Sequence, residues 1–96
     1  MIHLQGYVKA TYHELVEALG EPELNAQCGD DKVSTEWCFE GWDYYGEPTP
    51  VTIYDWKDYD GGAKSRSGNE YEWNVGGVSG CAVDIVMGKL KKVRNT

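Results

Sequence analysis

The run KVSTEWCFE, residues 32–40, alternates in polarity throughout: Val33, Thr35, Trp37 and Phe39 fall on one side, Ser34, Glu36, Cys38 and Glu40 on the other. Successive side chains of extended backbone point to opposite sides, so alternation over this length is a strand with one buried face. Such a strand needs neighbours in the hydrogen-bonding direction and an apolar layer beneath it. The rest of the chain has to supply both, which confines it to a sheet with a second layer packed against it.

Three other segments qualify as neighbours. Met1–Lys9 reads as a first strand, with Ile2, Leu4 and Gly6 or Tyr7 setting its faces. Val51–Lys57 places Val51, Ile53 and Asp55 on one side and Thr52, Tyr54 and Trp56 on the other, and Tyr71, Trp73 and Val75 alternate in a fourth strand. The second layer comes from two helices. Thr11-Tyr12-His13-Glu14 has the form of a capping box, and Tyr12, Leu15, Val16 and Leu19 follow on one helical face. Gly20 and Pro22 then terminate that helix. Val78, Ala82, Ile85, Val86, Lys89, Leu90 and Val93 predict a closing helix, with Lys91, Lys92 and Arg94 near its C-terminus, where cations complement the helix dipole. Residues 21–31 read as a connection, and GWDYYGEPTP (41–50) as a turn region. DYDGGAKSRSGNE (58–70) is polar enough to predict a mobile loop with Lys64 and Arg66 at its tip. The expected fold is therefore α+β, a four-stranded mainly antiparallel sheet with two helices in the order β-α-β-β-β-α, spanning residues 1–96 as one domain.

A chain of 96 residues buries only about 60–65% of the surface its unfolded form exposes. Four Trp, seven Tyr and one Phe help to fill so small a core, and the surplus suits recognition, where Tyr and Trp anchor interface centres. The formal charge is −7, and residues 1–56 hold Lys9 and Lys32 as their only basic side chains. That balance opposes duplex DNA, whose binding requires phosphate neutralisation, and favours a basic partner such as a protein surface that normally holds nucleic acid. Cys28, Cys38 and Cys81 are odd in number and have no CxxC spacing. With no secretory signal pattern, they point to a reducing cytosol. No apolar run has the roughly 20 residues of a membrane span.

Motifs for chemistry are sparse. His3 and His13 stand beside no nucleophile motif, and GxSxG, HExxH and P-loop patterns are absent. Asp55, Asp58 and Asp60 suggest a calcium loop, but counting from Asp58 puts Gly62 at position five, Ala63 at six and Asn69 at twelve, where oxygen, glycine and glutamate are required. No metal or cofactor is expected. The stretch WNVGGVSG (73–80) has two readings: a strand-to-helix corner, or an anion site at a helix N-terminus. In the second, Gly76, Gly77 and Ser79 would cradle a nucleotide, Lys57 and Arg66 would supply charge, and Trp73 would stack on the base. Sites of this type often form between subunits, so a homo-oligomer would favour that reading. The aromatic and acidic side chains around the 41–50 turn compose a different surface. Glu36, Glu40, Asp43, Tyr44, Tyr45 and Glu47 are the expected contacts to a basic partner.

The segments TYHELVEALGEP, STEWCFE, TIYDWK and YEWNVGG, in that order within residues 6–86, resemble small accessory proteins encoded by bacteriophages. The resemblance implies a counter-defence factor or host-protein inhibitor of anti-CRISPR type, acting by occupying a site on a larger assembly. It carries over no functional residue. The expectation is a non-enzymatic inhibitor with an acidic, aromatic surface. The alternatives are a nucleotide-signal sponge built on the Gly76–Gly77 turn and a small enzyme acting on nucleotides or nucleic acid.

Overall fold

Thr11 ends the first strand and starts the first helix. Its hydroxyl accepts from the Glu14 N–H at 3.1 Å, and the Glu14 carboxylate accepts from the Thr11 N–H at 2.9 Å, so two of the helix's orphan donors are satisfied reciprocally. A computed structural model describes residues 2–24, 33–56 and 63–95. The elements are β1 (His3–Ala10), α1 (Tyr12–Leu19), β2 (Glu23–Leu24), β3 (Thr35–Trp42), β4 (Pro48–Tyr54), β5 (Tyr71–Gly77) and α2 (Cys81–Arg94). The fold is α+β. Its sheet is antiparallel throughout, in the order β1-β5-β4-β3-β2.

Five strands replace the four expected. The addition, β2, is two residues long and pairs Glu23 with Glu36 and Leu24 with Thr35; two residues carry no periodicity to read. A second correction concerns Gly76 and Gly77. They do not break the strand but finish it, paired with Thr52 and Val51 on one side and with Leu4 and His3 on the other. Neither adopts a positive φ, a conformation that Gly20, Gly46 and Gly68 do adopt. Space is what they provide. A methyl group on Gly77 would come within 2.6 Å of the Ala82 Cβ, and one on Gly76 within 2.6 Å of the Thr52 Oγ1. Gly41 and Gly6 are alike in this respect, lying beneath Ile85 and Val83. The first turns of α2 thus rest on bare backbone in three strands.

Both helices pack on the same face of the sheet. Val8, Ala10, Leu15, Trp37, Val51, Ile53, Trp73, Val75, Ala82, Val86 and Leu90 form one core. Trp37 and Trp73 meet edge to face at 5.3 Å, and their indole N–H groups donate to the Gly20 and Ala10 carbonyls at 2.8 and 2.9 Å. Each buried ring therefore keeps a partner for its polar atom and pins one end of a strand or helix. Arg94 at the end of α2 reaches the Glu14 carboxylate at 2.7 Å and the Lys9 carbonyl at 2.8 Å, joining three elements. Among the described residues no helix is long and apolar enough to cross a membrane.

Asp55 is wholly buried one residue beyond β4. Its carboxyl group accepts from the Ser34 and Thr35 N–H groups at 2.8 and 3.0 Å, and from the Ser34 and Ser65 hydroxyls at 2.6 and 2.8 Å. The aspartate expected to share a face with Val51 and Ile53 does so, as a structural clamp. Through Ser65 it holds the described part of the 58–70 segment against the sheet.

Candidate protein-binding face

The second face of the sheet is built by the alternate residues of the same strands. Register places Tyr7, Asn74, Tyr54, Glu36 and Glu23 in one row across all five strands. The next row holds Leu4, Gly76, Thr52 and Cys38, and beyond it Glu40 lies opposite Pro50 and Trp42 opposite Pro48. No described element covers these rows. Tyr7 is 54% exposed, Trp42 66% and Trp56 41%, and Trp56 sets its ring edge-on to Tyr54 at 6.3 Å. Isolated exposed aromatics are ordinary, but several on one sheet face that no described element covers make it a candidate interaction surface.

A bulge adds β1 to this face. The register shifts between Leu4 and Gly6, so Gly6, Val8 and Ala10 face the core while Leu4 is turned outward. Ile2 accompanies it, with its Cγ2 positioned 3.2 Å from where a Gly76 methyl would stand. Sequence periodicity gives Ile2 and Leu4 the task of setting the faces of β1 without saying which face is buried. One extra residue at Gln5 puts them on the side opposite Val8 and Ala10, and nothing in local composition marks such an insertion. Tyr7, Leu4 and Lys9, which stands opposite Glu72, are the face residues that sequence reasoning missed.

The expected partner contacts separate into three places. Glu36 and Glu40 lie on the open face, Glu40 exposed and Glu36 largely buried. Asp43 builds the β3–β4 turn: its Oδ1 accepts from the Tyr45 and Glu47 N–H groups at 2.8 and 2.9 Å, so its role is local architecture. Tyr45 and Glu47 are exposed at the turn tip. Tyr44 bends towards the helix layer and donates to the Asp84 carboxylate of α2, which raises the phenol pKa above its ordinary value. Tyr44 therefore lies away from the open face, although it is exposed.

The nucleotide constellation does not assemble. Trp73 is buried in the core with no face to offer a base. Gly76 and Gly77 are filled over by Thr52 and Ala82. The Ser79 hydroxyl lies 2.9 Å from the Cys81 thiol, and Gly80, without a side chain to accept, is the N-cap of α2. Asp84 already supplies negative charge in the first turn. Arg66 belongs to the segment that enters β5 at Tyr71, whereas the glycines are at its far end. Six residues of extended chain separate the two ends by about 20 Å. Lys57, Asp58 and Asp60 lie outside the described residues. Among the described residues no group of three or more His, Cys, Asp or Glu side chains is placed to hold a metal ion.

No protein-family model, curated protein or solved structure matched this chain.

Proposed function

We propose that this chain is a non-enzymatic, phage-type binding protein that inhibits a host or defence macromolecule by occupying a basic site on it, with the open sheet face as the principal contact. The observation that carries this reading is the placement of both helices on one side. The other side is left with Tyr7, Trp42 and Trp56 exposed beside Glu40 and Glu72. Aromatic anchors supply desolvated contact area, and the carboxylates select a partner rich in Arg and Lys. The overall charge of −7 steers such a partner at low salt. Tyr45 and Glu47 at the turn tip extend the same surface at its rim.

The test is retention of partner from infected-cell lysate on immobilised full chain, with Tyr7→Ala, Trp56→Ala and Glu40→Lys variants run in parallel. Retention is expected to fall as salt rises and to drop at least tenfold in each variant. Equal retention by the native chain and all three variants would remove the open face from the interaction. A panel of linear and cyclic nucleotides should leave the melting temperature unchanged. A specific rise with any of them would revive the sponge reading, because a ligand that binds the folded state raises its stability by mass action.

A further inference from the structure

The two edges of the sheet are finished differently, and the difference indicates how a partner docks. Pro48 and Pro50 have no N–H, yet they stand opposite Trp42 and Glu40 in the β3–β4 ladder. Those pairs are therefore the ones that exchange no hydrogen bonds, since an antiparallel ladder alternates bonded and non-bonded pairs. Phe39 and Gly41 bond to β4, so Glu40 and Trp42 turn their N–H and C=O groups to the outer edge. The short β2 pairs with Thr35 and Glu36 and stops. Among the described residues nothing pairs with Glu40 or Trp42 on that side.

The β1 edge has the opposite character. Continuing the same alternation through β4 and β5 turns the Tyr7 and Lys9 backbone outward, and the Lys9 carbonyl is already taken by Arg94 Nη2 at 2.8 Å. The bulge after Leu4 distorts what remains. Bulges and capping side chains are the means by which edges are protected from pairing. Among the described residues, one edge is protected and the other is not at Glu40 and Trp42.

We propose that the outer edge of β3 at Glu40–Trp42 receives an extended, basic segment of the partner protein as an added strand. The proposal rests on the basic-partner reading above and specifies its docking mode. Main-chain bonds to Glu40 and Trp42 supply the pairing, and alternate side chains of the segment continue the open face. Charge selects the occupant. On that face the added strand lies beside the Glu40 carboxylate, and where β2 ends it meets a groove of about 410 Å³ lined by Leu19, Trp37 and Phe39 with Glu21, Glu23 and Glu36. An Arg or Lys stem fits along Leu19 and its head the carboxylates, the Phe39 ring already carrying the Lys89 ammonium 5.3 Å from its centroid. A second copy of this chain pairing edge to edge would bring Glu40 towards Glu40 on molecules that each carry −7, so self-association is disfavoured.

The test uses full chain and fluorescein-labelled (Arg-Val)4 at low salt, read by anisotropy, with two further peptides N-methylated at every Arg or at every Val. One methylated series blocks the edge-facing amides and should bind at least tenfold more weakly, while the other retains affinity. Glu40→Pro removes an outward N–H without touching the β4 ladder and should weaken binding at least tenfold, whereas Glu40→Gln should weaken it a few-fold. Amide exchange gives a readout free of any variant: the Glu40 and Trp42 amides exchange quickly in the free protein and become protected on peptide binding. If both methylated peptides bind like the parent and those two amides stay unprotected, the edge proposal is overturned. Loss of binding in Tyr7→Ala and Trp56→Ala would then show that the face reading survives alone. Failure of the parent peptide to bind overturns the edge proposal outright. The face reading falls with it only if lysate retention is also insensitive to the face variants.

Discussion

Replacing Asp55 by alanine removes the acceptor for four donors at once. Two are backbone N–H groups, of Ser34 and Thr35, at residues that are 7% and 0% exposed. Water cannot readily take them over, and each buried donor left unsatisfied costs about 1–3 kcal/mol. The Ser34 and Ser65 hydroxyls can rotate and are counted at no more than about 0.5 kcal/mol each. The expected loss is about 2–7 kcal/mol, against a total stability of about 5–14 kcal/mol for a chain of this length. Asp55→Asn keeps one carbonyl oxygen for the two N–H groups, and its amide can donate to a serine hydroxyl, so it should lose about 1–2 kcal/mol. Urea denaturation followed by far-ultraviolet circular dichroism measures both variants against the native chain. Ser65→Ala, which removes one donor and leaves the strands paired, should admit protease to the 63–70 segment more readily than the native chain does, while costing less stability than Asp55→Ala. A loss below about 1 kcal/mol in Asp55→Ala, with an unchanged denaturant slope, would refute the reasoning. So would equal losses for Ala and Asn, since both outcomes mean that the carboxyl group does not hold Ser34 and Thr35.

Two further perturbations probe the layer interface. Bonds from Arg94, and then from the Thr11 N–H, lower the Glu14 pKa from 4.5 to about 2. That gap corresponds at face value to about 3 kcal/mol, but with Arg94 35% and Glu14 29% exposed solvent screening leaves about 1 kcal/mol. A pKa depressed by folding contributes fully above the unfolded value and is lost as pH falls through the folded one. Glu14→Gln should therefore be less stable by about 1 kcal/mol at neutral pH, and the difference should vanish between pH 4.5 and about 2; a constant difference in thermal melts across that window would be inconsistent with the pairing. For the glycine seat of α2, Gly77→Ala should cost about 1–3 kcal/mol by overpacking against Ala82. Gly88→Ala, in the same helix with nothing within 4 Å, should gain about 0.5–1 kcal/mol from helix propensity. Similar melting temperatures for the two variants would contradict the close approach.

Local chemistry made some elements legible from sequence. Thr11, Glu14 and Gly20 bound α1 because a cap is a short-range arrangement, complete within a few residues. The 32–40 alternation placed Trp37 and Phe39 together, and the composition around Trp42 and Tyr45 pointed correctly to exposed rings. What sequence could not supply were consequences of distant contacts. Trp73 alternates as well as any strand residue, but whether its face meets a helix or a base is decided by where α2 lies. Gly76 and Gly77 resemble a phosphate loop only while Thr52 and Ala82 are out of sight. The β1 bulge is invisible because its effect, two apolar residues on the face away from the helices, depends on registration with β5.

These long-range features share one physical origin and bear on function together. Glycines on three strands let α2 sit close to the sheet, so one helix layer completes the core on that side. The aromatics that are not needed there, Tyr7, Trp42 and Trp56, are left on the other face. Pro48 and Pro50 fix which groups of β3 bond inward, and thereby leave Glu40 and Trp42 facing outward at an edge that no described residue pairs with. A polar open face alone would have been a solvated surface, and a blunted edge alone would have been ordinary protection against aggregation. An aromatic face continuous with an unprotected acidic edge presents anchors, pairing groups and charge selection to the same incoming chain.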